Sequence, residues 1–278
     1  MNREQRIQLA TETLAILNAG GYDNGRDWVD LAPAMQTALA SSRLIRPAEM
    51  TSSEANVDRL LAVPAPYRTT YEVVNETTLA AAARLATANP LVLNFASARN
   101  PGGGFQRGSQ AQEESLARAS GLYLCLQQHR EMYDYNNRHR SAFYSDHMIY
   151  TPAVPVFRHD DGSLLREPFT AAILTAPAVN AGAVRANEPA QVGRIVPVMR
   201  MRVARVLSVA LQMGHAQLVL GAWGCGVFQN DPGSIARLFA EQLLAGRRFS
   251  GRFHHIVFAI LDRPPFATIS PFQELFSA

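Results

Sequence analysis

Apolar positions along the chain fall into two regimes. Over residues 3 to 19, Ile7, Leu9, Ala10, Leu14 and Leu17 lie near one face at helical spacing, and Gly20-Gly21 stops the helix. From there to about residue 66 the pattern is broken. Asn24-Gly25 reads as a turn, Pro33 opens a short helix, and a helix over Ser53 to Val63 is ended by Pro64 and Pro66. Residues 1 to 66 are therefore expected to form an extension packed on a core of residues 67 to 278, the two making one structural unit. From Thr70 onward strands alternate with helices. The strands are Tyr71 to Val74, Leu91 to Phe95, Ala171 to Leu174, Gln217 to Leu220 and His255 to Leu261. The helices cover Glu76 to Ala88, the stretch near Val192 to Met213, and Pro232 to Leu244. Such alternation predicts an α/β protein with a mostly parallel sheet and helices on both faces. Residues 131 to 169, with Asn136-Asn137 and Asp161-Gly162, read as a partly irregular insertion containing a hairpin.

Composition narrows the classes. Of 278 residues, 47% are hydrophobic and 18% charged, enough apolar material for a sizeable core and too little charge for disorder. No apolar run of about 18 residues occurs, and Met1-Asn2-Arg3-Glu4 leads into a charged helix, so neither a membrane span nor a secretory signal is expected and the cytoplasm is the default compartment. A net charge of +3 is too small to argue direct nucleic-acid binding. Lysine is missing, so all 26 basic residues are arginine, which excludes a P-loop lysine, Schiff-base chemistry and a Ser-Lys pair. Either a GC-rich genome or a need for guanidinium forks toward phosphate accounts for that bias. Arg194, Arg200, Arg202 and Arg205 lie along one predicted helix and read as a solvated face. Cys125 and Cys225 make at most one bridge and no Cys-rich zinc site, so they read as buried free thiols. The seven histidines form no metal motif, and no Gly-x-Ser-x-Gly elbow is present.

Two glycine loops carry the candidate chemistry. The first follows a buried strand as Asn100-Pro101-Gly102-Gly103-Gly104 and runs on to Gln112-Glu113-Glu114. Three glycines let the backbone turn tightly and approach a ligand, which suits an anion or a sugar. Ser109 and Gln112 have capping-box spacing, so a helix is expected from Gln110 with the acids in its first turn. Those acids either compensate the helix dipole or serve a ligand. The glycine triplet upstream favours the second reading, because both features face the carboxyl edge of the sheet. The second loop, Gly224-Cys225-Gly226-Val227-Phe228, joins a strand to a helix with Asp231 as N-cap and Pro232 at its first position. Its amides suit a diphosphate, and Phe228 is either core or an aromatic wall for ribose. Gln229 stands where a dinucleotide fingerprint needs its third glycine, which argues against a nicotinamide-dependent oxidoreductase.

Gly102-Gly103-Gly104 followed by Gln112-Glu113-Glu114, joined to Gly224-Cys225-Gly226-Val227-Phe228, resembles the signature of poly(ADP-ribose) glycohydrolases of the bacterial type. Glu12-Thr13-Leu14 and Gly20-Gly21-Tyr22 resemble the extension of that branch, so the resemblance covers nearly the whole chain. It implies a three-layer α/β/α macrodomain with a mixed, mostly parallel sheet and an N-terminal helical extension. By the same resemblance, Glu114 protonates the leaving ribose oxygen and later activates water, Glu113 holds hydroxyls of the terminal ribose, and Gln112 supports the loop. Asn100 and Gly102 to Gly104 would line the sugar. Gly224, Cys225, Gly226 and Val227 would give amides to the diphosphate, with Phe228 positioning the ribose. Thr175 to Asn180 is expected to add a further wall. Poly(ADP-ribose) or ADP-ribosylated proteins would be substrate and ADP-ribose product, with end trimming, no metal and no cofactor. The alternative is a non-catalytic macrodomain that only binds ADP-ribose, which would have no use for the acid pair.

Overall fold

The computed structural model describes residues 1 to 277. In chain order the elements are α1 (Arg3–Ala19), β1 (Gly21–Asp23), β2 (Trp28–Asp30), α2 (Ala32–Ser41), β3 (Arg43–Ile45), α3 (Pro47–Ser52), α4 (Glu54–Ala62), β4 (Thr70–Val74), α5 (Thr78–Arg84) and β5 (Leu91–Phe95). There follow α6 (Gln112–Ala119), α7 (Leu122–Gln127), α8 (Arg130–Arg138), β6 (Met148–Arg158), β7 (Leu164–Ala176) and α9 (Ala181–Asn187). The chain closes with α10 (Ile195–Gln212), β8 (Gln217–Leu220), α11 (Pro232–Leu243), β9 (His255–Ala259) and α12 (Ser270–Phe276).

Seven strands form one sheet in the order β3-β6-β7-β5-β8-β9-β4. The β7-β5, β5-β8, β8-β9 and β9-β4 pairings are parallel, and β6 runs antiparallel to both of its neighbours. The predicted α/β architecture is therefore present, a mixed and mostly parallel sheet between helical layers. Alternation in the central strands explains it. Leu91 and Leu93, Leu218 and Leu220, and Ile256 and Phe258 pack into the core shared with α10, α11 and α12. Val92, Val219 and Val257 point the other way, into the core shared with α5 to α8. Strands buried on both faces read as continuous apolar runs, which is why these three were legible.

The N-terminal segment is fixed by local chemistry. Asn2 caps α1 through its side chain and Gln5 returns the bond, a complete capping box, while Gly20 ends the helix at a φ of 80°. Within that segment, β3 pairs with β6 and so joins the main sheet at one edge. Thr77 caps α5, which shortens the predicted 76–88 helix to Thr78–Arg84 and a tight turn. The 131–169 region is more regular than expected. It holds α8 and most of the β6-β7 hairpin; β6 is largely buried, whereas the first half of β7 is at most partly buried and so lacks an apolar signature. The arginine stripe on α10 is solvated at Arg194 and Arg200, but Arg205 is half-buried against Asp146. Arg202 is not solvated but 2% exposed, because Asp146 reaches it from the α8-β6 connection.

Candidate active site

Parallel pairing sends the loops after β4, β5, β8 and β9 to one edge of the sheet, where they enclose a cleft of about 990 Å³. The β5 loop contributes Ser97, Asn100, Gly103 and Gly104, α6 contributes Gln112, Glu113 and Glu114, and the β8 loop contributes Gly224 through Phe228. All of these except Ser97 were expected from the sequence, and the two glycine loops come together although more than a hundred positions separate them. Gly102 stands behind them, turned toward Phe105, Ala117 and Tyr123.

The start of α6 differs from its prediction. Its N-cap is Ala111 without a side-chain bond, and the helix begins at Gln112. The Gln112 amide is engaged elsewhere, accepting from the Phe95 N–H at 2.8 Å and donating to Leu93 O at 2.7 Å and Thr78 Oγ1 at 3.2 Å. This stitches α6 to β5 and α5 and fixes where the two following acids stand. Glu113 is 3% exposed. It accepts from the Ser97 N–H at 2.7 Å and from Asn94 Nδ2 at 3.3 Å. Burial pushes its carboxyl up to about 8, against the Ser97 amide, which pulls the other way, with the neighbouring Glu114 charge adding to the rise. Burial thus favours the neutral form of Glu113.

Glu114, 9% exposed, accepts the Gly104 N–H at 2.9 Å through Oε1. That oxygen presses on Gly103, where an added Cβ would lie 2.3 Å from it and where φ is 62°. No other residue fits this position without moving the carboxylate. Gly224 has a matching role at φ 76°, with Ala178 Cβ and Asn230 Nδ2 each 2.6 Å from its would-be Cβ. Gly226 has nothing within 4 Å and Val227 is 77% exposed, so that stretch presents backbone to the cleft. Cys225 is a half-buried free thiol in the same stretch and Cys125 is fully buried.

Phe228 is braced from behind. The Tyr144 ring lies 5.7 Å from it, and the Arg99 guanidinium sits 5.6 Å over Tyr144. Buried Arg202 donates to Tyr144 O at 2.9 Å, Pro177 O at 3.2 Å and Asp146 Oδ1 at 2.6 Å. The expected wall at 175 to 180 is placed differently. Thr175 Oγ1 accepts from Asn94, and Val179 O accepts from Asn230, so this segment supports the two loops from beneath.

Sequence reasoning missed the rest of the cleft. Glu76 to Leu79, Asp160 from the hairpin turn, Ile260, Leu261, Arg263 and Thr268 after β9, and Arg6 and Arg107 at the α1 side add to the lining. Thr77 bonds Asp160 at 2.5 Å, which closes the hairpin over α5. No motif marks these segments, and only the capping pattern at Thr77 was readable. Among the described residues no group of three or more His, Cys, Asp or Glu is arranged to hold a metal ion, and no helix is long and apolar enough to cross a membrane.

Comparison with known proteins agrees with this geometry. The poly(ADP-ribose) glycohydrolase of Thermomonospora curvata is 46% identical, with a TM-score of 0.93 over 99% of this chain and 100% of that one. The same enzyme bound to the inhibitor ADP-HPD aligns at 45% identity and a TM-score of 0.88, over 98% and 99% of the two chains. The Deinococcus radiodurans enzyme in complex with ADP-ribose is 45% identical with a TM-score of 0.82, over 88% of this chain and 98% of that one. A search of curated proteins finds no match. A family model described as the catalytic domain of microbial-type PARG matches residues 10–159, and the chain belongs to that family of poly(ADP-ribose) glycohydrolases.

Proposed function

We propose that this chain cleaves the ribose-ribose O-glycosidic bond of poly(ADP-ribose) and releases ADP-ribose, with Glu114 as the general acid and base. The observation that carries this reading is the seat of Glu114. Its Oε1 is held by the Gly104 amide and pressed on Gly103, and the carboxyl lines the same cleft as the bare backbone of Gly224 to Val227. A diphosphate on those amides would leave the terminal ribose between Phe228 and the acid pair. Glu114 gives its proton to the leaving 2′-oxygen as the bond to C1″ breaks, and the diphosphate opposes the charge of the oxocarbenium-like transition state. The same carboxylate then takes a proton from water as its oxygen bonds to C1″, which restores the acid.

Glu113, held neutral by burial, is suited to donate a hydrogen bond to a ribose hydroxyl as well as accept one. Gln112 is a positioning residue, since its three bonds go to β5 and α5. Asn100, Gly103 and Gly104 face the sugar, and Gly102 shapes the turn behind them. The base is left with the cleft wall between Glu76 to Leu79 and Ile260 to Arg263. Cleavage proceeds from the chain end, in the cytoplasm, on polymer carried by ADP-ribosylated proteins. Glu114→Gln tests the reading. The amide keeps the shape but cannot exchange the proton, so release of ADP-ribose from polymer is expected to stop while affinity for ADP-ribose, by isothermal titration, stays within about tenfold, or ~1.4 kcal/mol. Near wild-type turnover by the variant would overturn Glu114 as the acid, whereas a wild type that binds ADP-ribose but releases none from polymer would return the chain to the class of binding-only macrodomains.

A further inference from the structure

We propose that the cleft holds a second anion subsite, in which the Arg107 guanidinium, with Arg6 beside it, binds the diphosphate of the preceding ADP-ribose unit, the one that carries the scissile 2′-oxygen and stays on the polymer. This rests on the reaction proposed above and names what the enzyme does with the other half of its substrate.

The turn that carries Arg107 hangs from the residue that holds the catalytic acid. Gly104 O accepts the N–H groups of Arg107 and Ser109, while Gly104 N–H donates to Glu114. Helix α1 fixes this turn by its backbone. Arg3 Nε donates to Arg107 O at 3.1 Å and Arg6 Nε to Gly108 O at 2.8 Å. The Arg107 side chain is exposed at the cleft, with no hydrogen bond or ion pair among the described residues. Its main chain is thus held while its charged head is left unpaired. Arg6 lines the cleft as well and keeps Nη2 uncommitted, its other nitrogens donating to Gly108 O and Met1 O.

Charge around this corner is uncompensated. Nine other arginines pair with carboxylates, but neither Arg6 nor Arg107 does. The acids of the cleft have partners of their own: Glu76 pairs with Arg84, Asp160 accepts from Thr77, Glu113 accepts from Ser97 and Asn94, and Glu114 accepts from Gly104. A guanidinium with five donors in a planar fork suits a diphosphate better than a carbonyl or a sugar. The substrate's chemistry places such a group here. The scissile oxygen is the 2′-oxygen of the preceding adenosine, and that adenosine carries its own diphosphate on the 5′ carbon of the same ribose. When Glu114 is at the scissile oxygen, this second diphosphate lies about one ribose away, within the sweep of a long side chain anchored three residues from Gly104. Free ADP-ribose has no such unit, so the subsite acts on polymer and not on product.

Arg107→Ala and Arg107→Glu test this, with Arg26→Glu in the β1-β2 turn, outside the cleft, as a control for net charge. At low salt kcat/KM on polymer is expected to fall about threefold to tenfold for Arg107→Ala and more than tenfold for Arg107→Glu, mainly through KM. Affinity for ADP-ribose should stay within about twofold of wild type, and Arg26→Glu should leave both unchanged. The deficits should shrink at higher salt, because screening weakens exposed charge contacts. Polymer kinetics of Arg107→Glu equal to those of Arg26→Glu would overturn the subsite, and so would an equal loss of polymer and ADP-ribose affinity. If wild type released no ADP-ribose at all, the proposed reaction would fail on its own. Polymer binding by the same variants would then decide the subsite separately.

Discussion

Gly103→Ala isolates the placement of Glu114 from its chemistry. The new methyl would arrive 2.3 Å from Glu114 Oε1, 2.9 Å from its carboxyl carbon and 3.1 Å from Glu113 Oε2. Reaching even a 3.0 Å contact requires Oε1 to retreat by about 0.7 Å, and the Gly104 N–H bond, now 2.9 Å, stretches or breaks with it. Two effects compete. Stability loses roughly 1–2 kcal/mol because alanine is held at a φ of 62°, and little more, since the obstructing atoms are the far end of a flexible side chain. Turnover loses more, because displacing a reacting group by about 1 Å costs on the order of 100-fold. Initial rates of ADP-ribose release, urea melts and titration with ADP-ribose separate the two. The expected result is kcat down about 100-fold in a protein still folded at the assay temperature. A variant within about threefold of wild-type kcat would refute the claim that Gly103 sets the position of the acid.

Gly226→Val should leave the thermal midpoint unchanged, since the position is open and its backbone is not left-handed, yet weaken ADP-ribose binding tenfold or more by holding the phosphates off the amides; equal affinity by titration would make the loop a mere connection. Glu113 predicts a pH dependence. Its folded carboxyl titrates near 8 and the unfolded one near 4.5, so the folded state holds the extra proton between those values. The associated stability is full below about pH 4.5 and is lost as pH rises to about 8, at up to ~1.4 kcal/mol per unit. Glu113→Gln removes that slope, so its melting temperature should gain on wild type from pH 5 to pH 8, whereas parallel curves over that range would show that Glu113 titrates normally. The same variant should bind ADP-ribose more weakly and turn over more slowly, as the amide cannot reproduce every bond of a protonated carboxyl to ribose.

Much of this architecture was readable because its signals were local. β5, β8 and β9 are buried on both faces and announce themselves as apolar runs, and the two glycine loops follow two of them directly. Their motifs also carried the acid pair. What escaped was set by distant partners. Gln112 looked like half of a capping box, but its amide is taken by Phe95 and Leu93 across the sheet edge. Arg202 looked solvated because Asp146, 56 positions away, is invisible in a helical projection. The second wall of the cleft comes from three separate segments with no common pattern, joined by contacts such as Thr77 to Asp160. The reach of β3 into the main sheet rests on three residues, too few for periodicity to register.

A chain without lysine holds its segments in an uncommon way. Arg3 and Arg6 grip carbonyls of the 105–108 turn, Arg118 grips Ser109 O, Arg202 grips Tyr144 and Pro177, and Arg252 grips Leu60, Leu61 and Val63. A peptide carbonyl, unlike a carboxylate, has no proton to gain as the medium turns acidic, and a guanidinium stays charged there. Scaffold and catalyst therefore answer to different variables. Acid changes the charge on the carboxyl groups at the centre of the cleft while the bonds from guanidinium to carbonyl around it keep their partners, so the acid limb of a pH-activity curve for this enzyme reports its carboxyls, Asp146 beside Arg202 among them, and not the release of these carbonyl clasps.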